Sequence, residues 1–234
     1  MVNQWSLEKV TVALGYDDVS KDGIIAHKNF SQFCDFLKST LNIEINIFDI
    51  GCGNGRIVKE LQNYDSYVGV DINEYNVSIA KNNFLKNNKN HFLHEDIEST
   101  QFSDVMKHHI LTSNICLLDS TFHMMENPEL LMHDLLIPNF KFIYLARTRA
   151  VDTVEYVKRK EYHQWDGMAD SSVNWEFGRL FFKDIGDIYK NINCVGWRRD
   201  FKKESPDDFI LMWNGEQLEE WQNNMLYNKM RINK

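Results

Sequence analysis

Three glycines at alternate positions, Gly51, Gly53 and Gly55, directly follow the short apolar run at residues 45–50. Glycine is needed where a backbone turns sharply or approaches a ligand too closely for a Cβ atom. A helical spacing of apolar residues resumes after Gly55, and the first turn of a helix offers unpaired N–H groups to anionic or polar ligand atoms. The pattern of strand, glycine turn and helix therefore predicts a nucleotide-type cofactor site.

The spacing of these glycines excludes two common nucleotide motifs. A nicotinamide or flavin site would have the pattern G-x-G-x-x-G, but Arg56 stands where the third glycine should be. A phosphate-binding P-loop would continue into Gly-Lys-Ser or Gly-Lys-Thr, and no such sequence follows Gly55.

An acidic residue followed by G-x-G-x-G resembles the first motif of class I S-adenosylmethionine-dependent methyltransferases. Asp49 stands in the acidic position, and the apolar flanks match as well. The resemblance implies S-adenosyl-L-methionine as the cofactor and S-adenosyl-L-homocysteine as the product. It places Asp49, Gly51, Cys52, Gly53 and Gly55 at the cofactor.

Acidic residues also end three further β-rich runs, at Asp71, Asp96 and Asp119. A carboxylate at the end of the second strand can accept hydrogen bonds from both ribose hydroxyls, and in the family this acid, here Asp71, binds the ribose. By the same resemblance Asp96 faces the adenine amino group and Asp119 belongs to the fourth motif. Ile72 and Ile97 are assigned to the same cofactor site.

The residues around Asp119 are the first candidates for catalysis. Methyl transfer from a sulfonium needs an aligned nucleophile, and a base if that nucleophile is a hydroxyl or a protonated amine. Many small-molecule members of the family have a serine-rich turn followed by a histidine here, which predicts His123 as general base or substrate orienter beside Asp119. A histidine that caps or packs the next helix is the alternative. Residues 119–122 contain no proline, unlike the Pro-Pro motif of enzymes that methylate nucleic-acid amines or protein glutamine.

Substrate contacts are predicted after the fifth strand. Arg147 and Arg149 could bind a carboxylate or phosphate of the substrate, or they could be an ordinary surface pair. His163 and Trp165 belong to an aromatic, ionisable insertion at about 148–177, which roofs the substrate pocket in similar enzymes. The alternative is that these side chains only anchor a loop. No metal is predicted, because no further carboxylates or asparagines accompany Asp119 as a metal-dependent mechanism would require.

The elements that position these residues alternate between strands and helices. Strands are predicted near 46–51, 66–71, 91–96, 111–119 and 140–146, with helices that begin near Asn54, Glu74, Phe102 and Pro128. This is an α/β fold with a doubly wound sheet and helices on both faces. The resemblance implies a Rossmann-like, mostly parallel sheet of seven strands whose last strand is antiparallel.

Three parts are predicted along the chain. Residues 1–44 form an N-terminal helical lid that contains an amphipathic helix from about Gly23 to Leu41. Tyr16 and His27 could face the substrate there, although such residues more often pack or cap. Residues 45–214 form the methyltransferase core with its insertion, and residues 215–234 form a C-terminal helix.

Composition limits the partners. The 26 basic and 34 acidic residues give a net charge of −8, which argues against a nucleic-acid partner. No apolar run reaches the length of about 20 residues that a membrane span needs. The N-terminus lacks a signal-peptide pattern, and the four cysteines form no C-x-x-C pair, so a cytoplasmic protein is predicted, as a monomer or homodimer.

The predicted function is transfer of a methyl group from S-adenosylmethionine to an oxygen or nitrogen of a small metabolite or sugar-derived substrate. The first alternative is an RNA or protein methyltransferase. A basic groove would support it, formed by Lys158, Arg159, Lys160, Arg198, Arg199, Lys202 and Lys203. Such charge runs are more often solvated faces. The second alternative is a cofactor-binding protein without catalysis, which the intact glycine turn and Asp71 disfavour.

Overall fold

The computed structural model describes residues 21–99, 101–122, 125, 130–148, 150–151, 159–162, 174–177, 180–181, 193–197 and 207–212. Residues 1–20 and the predicted C-terminal helix at 215–234 lie outside this range. Among the described residues, no helix combines the length and the apolar character that crossing a membrane would require.

Five parallel strands form the centre of the fold: β1 (Asn46–Ile50), β2 (Ser66–Asp71), β3 (Asn90–His94), β4 (Ile115–Asp119) and β5 (Phe142–Thr148). They lie in the order β5-β4-β1-β2-β3 and pair in parallel throughout. The chain order reverses between β1 and β4, and ligands of open α/β sheets bind at the carboxyl ends of the strands beside such a switch point. The predicted Rossmann-like parallel sheet is confirmed for these five strands.

Apolar side chains cover both faces of this sheet, as the alternation of side chains along each strand requires. On one face, α1 (Lys21–Leu41) and α2 (Glu74–Phe84) share a buried cluster with β1, β2, β4 and β5. On the other face, the cluster includes α3 (Asp104–Thr112) and the π-helical segment Leu131–Leu136, which continues into α4 (Ile137–Asn139). Helices therefore lie on both faces, as predicted for a doubly wound sheet.

The N-terminal amphipathic helix is confirmed as α1, and aromatic contacts fix it to the sheet. Phe30 packs edge-on against Tyr144 of β5, with 5.0 Å between ring centroids. Phe33 contacts both Tyr144 and Phe142 of the same strand. Side chains of α1 are thereby brought to the strands that carry the predicted site.

The helix predicted to begin near Asn54 is present only as a short 3₁₀ turn. Only Arg56–Lys59 are helical, as a single turn of 3₁₀-helix. Ten residues separate Gly55 from the start of β2. They must also carry the chain from the carboxyl end of β1 back to the amino end of β2, because the two strands are parallel. Ile57, Val58 and Leu61 are buried as their spacing indicated, but this short connection has no room for several α-helical turns.

The predicted start of the fourth strand at residue 111 is also wrong. Helix α3, whose N-terminus is capped by the Ser103 hydroxyl accepting from the Met106 N–H, continues to Thr112. Leu111, which suggested a strand by its hydrophobicity, is 77% exposed on that helix. Strand β4 begins only at Ile115.

Further short strands follow β5 within the described residues. They are β6 (Ala150–Val151), β7 (Arg159–Tyr162), β8 (Asn174–Phe177), β9 (Leu180–Phe181), β10 (Asn193–Trp197) and β11 (Asp207–Met212).

Candidate active site

The glycine turn joins the carboxyl ends of β1 and β2. The backbone N–H groups of Gly51 and Cys52 both donate to the carbonyl oxygen of Val70, at 2.8 and 3.1 Å. Gly51, Gly53 and Gly55 have φ angles of +73°, +53° and +75°, in the left-handed region that L-residues with a side chain rarely adopt. The turn is therefore specified by glycine at each alternate position.

The three glycines face different surroundings. A Cβ on Gly51 would lie 2.4 Å from Thr121 Oγ1, and one on Gly55 would lie 2.9 Å from the Phe92 ring, so both glycines allow close packing within the protein. A Cβ on Gly53 would meet nothing within 4 Å. Gly53 thus presents bare backbone to open space, which is where a ligand can approach the turn most closely.

Asp71, at the end of β2, borders this space. Its Oδ2 accepts from the N–H of Gly53 and its Oδ1 from the N–H of Asn73, both at 2.8 Å. Burial raises the pKa of this carboxyl, and the two backbone hydrogen bonds partly oppose that rise. A carboxylate oxygen can accept more than one hydrogen bond, so each oxygen can also take a hydroxyl from a ligand.

Asp49, in β1, is a buried carboxyl with one unsatisfied oxygen. The Tyr67 hydroxyl donates to its Oδ2 at 2.5 Å, whereas Oδ1 has no hydrogen-bond partner among the described residues. Burial raises the pKa of Asp49 to about 8; the bond from Tyr67 opposes the rise, and the charges of Asp119 and Asp71 add to it. A buried polar atom without a partner is unusual in a folded protein and points to a missing donor or cation. Tyr67 was not predicted as a site residue, because nothing in its local sequence shows that it contacts β1.

Asp119, at the end of β4, accepts three hydrogen bonds. Arg147 Nε donates to Oδ1 at 2.6 Å and Arg147 Nη2 donates to Oδ2 at 2.8 Å, while His27 Nε2 lies 2.9 Å from Oδ2. Burial alone would raise the pKa of Asp119, but the bonds and charges of His27 and Arg147 hold it at about 2. The sequence identified each of these three residues as a candidate and did not predict that they contact one another.

The remaining predicted cofactor residues lie along the same edge. Asp96 Oδ1 accepts the N–H of Glu98 at 3.0 Å, and Ile97 is buried in the second hydrophobic cluster. The carbonyl of Ile72 is bonded to His94 Nε2 at 3.0 Å. Burial, followed by the charges of Asp49 and Asp71, raises the pKa of the Cys52 thiol well above its usual value. A thiol of this kind stays protonated and is a packing group rather than a nucleophile.

Several predicted site residues lie outside the described part of the chain. They are Tyr16, His123, Arg149, His163 and Trp165.

Residues 47–131 match a family model described as "Methyltransferase domain". This range runs from β1 to the start of the π-helical segment and contains the glycine turn, Asp49, Asp71 and Asp119. This part of the chain is a methyltransferase domain. The predicted methyltransferase activity class is thereby confirmed for residues 47–131. No curated protein matches the chain.

Solved structures of methyltransferases share this fold. The plantazolicin methyltransferase BpumL in complex with S-adenosylhomocysteine (SAH) is 16% identical, with a TM-score of 0.59, covering 89% of this chain and 91% of that one. The magnesium protoporphyrin IX methyltransferase from Synechocystis PCC 6803 with bound SAH is 13% identical, with a TM-score of 0.55, covering 87% and 92%. Another BpumL structure, with a pentazolic desmethylPZN analog and SAH, is 23% identical, with a TM-score of 0.47. In that alignment this chain spans just over half of the solved chain, 55%, and 62% of its own length is covered.

Proposed function

We propose that this protein transfers the methyl group of S-adenosylmethionine to an oxygen or nitrogen of a small metabolite or sugar-derived substrate. The observation that carries the proposal is the bare backbone of Gly53, bordered by Asp71, with the unsatisfied Oδ1 of Asp49 buried in the adjoining strand. These groups match the polar parts of the cofactor, which are a ribose diol and a methionyl ammonium.

Each of these residues has a specific role in the proposal. Asp71 keeps lone pairs for the ribose hydroxyls after its two backbone bonds are made. Asp49 Oδ1 receives the ammonium group, which removes the cost of an unpaired buried oxygen. Asp96, after β3, takes the adenine amino group. Cys52, Ile72 and Ile97 line the site.

When bound, S-adenosylmethionine supplies a methyl group activated by its sulfonium. The protein must therefore align a nucleophile and accept the one proton that the nucleophile releases. His123 stays the predicted proton acceptor or substrate orienter beside Asp119. Arg149, His163, Trp165 and Tyr16 stay predicted substrate contacts. For Arg147 we propose a different role from the predicted one, because its guanidinium already forms a bidentate pair with Asp119.

We also propose that the sheet has seven strands, with β11 antiparallel to β5 and β10 beyond it. The registers that pair Ile210 with Tyr144 and Val195 with Ile210 support this arrangement. The division into an N-terminal lid at 1–44, a core at 45–214 with an insertion at 148–177, and a C-terminal helix at 215–234 remains part of the proposal. So do the cytoplasmic location and the monomeric or homodimeric state.

The net charge of −8 and the absence of proline at 119–122 favour a small substrate over RNA or protein. To test this proposal, the protein is incubated with methyl-labelled S-adenosylmethionine and a cell extract that has been separated into small-molecule, protein and RNA fractions. Label in the small-molecule fraction is expected. Label confined to protein or RNA would establish the alternative instead, and cofactor binding without transfer to any fraction would indicate a non-catalytic protein. The Asp71→Ala variant, which should lose most cofactor affinity, controls for labelling by other enzymes of the extract.

A further inference from the structure

A buried ionic cluster links helix α1 to the carboxyl ends of the strands, where the candidate active site lies. Asp119 ends β4, Arg147 lies in β5, and His27 comes from α1, 92 positions before Asp119 in the sequence. The side chains of His27 and Asp119 are each 10% exposed. A helix that only covered the sheet would need apolar side chains alone, as Phe30 and Phe33 provide. His27 adds an ionisable group next to the site.

The protonation of this cluster follows from its hydrogen bonds. Both oxygens of Asp119 accept N–H bonds from the permanently charged Arg147 guanidinium, which requires an ionised carboxylate. The low pKa of Asp119 agrees with this. An ionised carboxylate has no proton to donate, so His27 Nε2 must carry the hydrogen in the 2.9 Å contact. In the neutral ring, Nδ1 then has a free lone pair, and no hydrogen bond engages it among the described residues.

The cluster also adjoins the cofactor turn. The hydroxyl of Thr121 donates to the Asp119 carbonyl at 3.0 Å, and the same side chain fills the space that a Cβ of Gly51 would need. Contacts therefore run without a break from the glycine turn through Thr121 to Asp119 and His27. A methyl acceptor placed at the carboxyl ends of β1 and β4 would lie beside this group.

We propose that His27 accepts the proton of the methyl acceptor through Nδ1, and that Asp119 and Arg147 are positioning residues that fix its tautomer and orientation. His123 then has the second of its two predicted roles, that of substrate orienter. This inference rests on the proposed function. As the acceptor oxygen or nitrogen forms its bond to the methyl carbon, the carbon–sulfur bond breaks and its electron pair stays on sulfur. The acceptor's proton passes to Nδ1, and the resulting imidazolium is stabilised by the Asp119 carboxylate. Deprotonation to solvent restores the neutral ring.

The charges that face His27 make this assignment specific. Asp119 contacts Nε2 of His27, and Arg147 is paired with the same carboxylate, while Asp49, which interacts electrostatically with Asp119, is the next carboxyl of the site. Arg147 cannot take the proton itself because guanidinium stays charged in proteins. Asp119 cannot take it readily because its lone pairs already accept three hydrogen bonds.

The glutamine variant His27→Gln separates the two functions of this side chain. The amide nitrogen of glutamine reaches about the position of imidazole Nε2, so it can still donate to Asp119, but it offers no basic nitrogen. His108→Gln, on an exposed part of α3, is the matched control. Two measurements need no known substrate. Long-range ¹H–¹⁵N spectra of the full-length protein report the tautomer of His27, and diethyl pyrocarbonate with peptide mass mapping reports whether its free nitrogen is reachable.

The expected result is the Nε2–H tautomer at pH 8, lost in Asp119→Asn, with carbethoxylation of His27 that bound SAH reduces. An Nδ1–H tautomer, or a His27 that is unmodified while His108 is modified, would overturn the inference. In transfer from labelled S-adenosylmethionine to a mixture of small phenols, catechols and amines, His27→Gln should lower the rate at least about a hundredfold. Its affinity for the cofactor should stay within about threefold of wild type. Equal rates in His27→Gln and His108→Gln would also overturn it. If the wild-type protein does not bind S-adenosylmethionine, the proposed function itself is wrong, whichever tautomer of His27 is observed.

Discussion

Binding of S-adenosylmethionine should release a proton from Asp49. In the free protein the pKa of Asp49 is about 8, so at pH 7 about nine-tenths of the molecules carry a neutral carboxyl there. An ammonium group next to Oδ1 favours the ionised form, and binding therefore expels this proton. Between pH 5 and pH 7 the affinity should rise about tenfold per pH unit, which is about 1.4 kcal/mol per unit. The α-amino group of the cofactor, with an ordinary pKa of about 7.7–8.0, stays charged in this window.

The assay is calorimetric titration at pH 5, 6 and 7 in buffers of different ionisation enthalpy, which counts the released protons directly. Asp49→Asn is the matched variant, since its amide keeps the shape and an acceptor for the Tyr67 hydroxyl. The variant should bind more weakly at pH 7 and show much less pH dependence, while any contribution of Asp71 remains in both proteins. About 0.9 proton released by wild type at pH 7 is expected from the pKa of about 8. A wild-type affinity that does not change with pH, with no proton released, would refute this reasoning.

The same raised pKa has a consequence for the stability of the free protein. Asp49 is protonated in the folded state up to about pH 8 but ionises near 3.8 when unfolded. The stability that this group contributes is therefore present at low pH and is lost as the pH rises from about 4 towards 8. Urea unfolding of the cofactor-free proteins should show wild type losing stability relative to Asp49→Asn across this range. A constant difference between the two proteins would contradict the raised pKa.

Four further variants test individual residues of the site. Tyr67→Phe removes the bond that lowers the pKa of Asp49, so proton release on cofactor binding should persist to higher pH in the same calorimetric assay; an unchanged profile would dismiss Tyr67 as the partner. Gly55→Ala should destabilise the fold by more than the roughly 1–2 kcal/mol that an alanine in left-handed conformation costs, because its Cβ meets Phe92. Gly53→Ala should show only that conformational cost in stability, but it should lose cofactor binding. Urea unfolding and calorimetry together check this contrast, and equal effects of the two variants would argue against an open space at Gly53. Asp71→Ala should weaken cofactor binding by about 1.5–3 kcal/mol, the usual contribution of a hydrogen bond to a charged group, and unchanged affinity would remove the ribose assignment.

The parts of the site that the sequence predicts well are those determined by residues close together in the chain. The glycine turn at 51–55 needs left-handed backbone, and Asp71 follows a short β-rich run, so residue type and spacing identify both. The shortness of the helix after Gly55 was not predicted, because apolar spacing gives the buried face of a segment but not how far it continues. Ten residues before β2 leave space for one 3₁₀ turn only.

Contacts between residues far apart in the chain could not be predicted from the sequence. His27 meets Asp119 across 92 positions because α1 packs on β5 through its phenylalanines, and no local pattern encodes that docking angle. Asp49 was predicted at the cofactor, but its bond to Tyr67 depends on the register between β1 and β2. Likewise Arg147 stands at the predicted strand end, and only the structure shows its guanidinium pairing with Asp119.

The central claim is that the turn at Gly53 binds S-adenosylmethionine, and calorimetric titration of the full-length protein with S-adenosylmethionine, SAH and NADH tests it most directly. Saturable binding of the first two, abolished or strongly weakened in Asp71→Ala, and no binding of NADH is the predicted result. Binding of NADH alone, or of none of the three, would contradict the account.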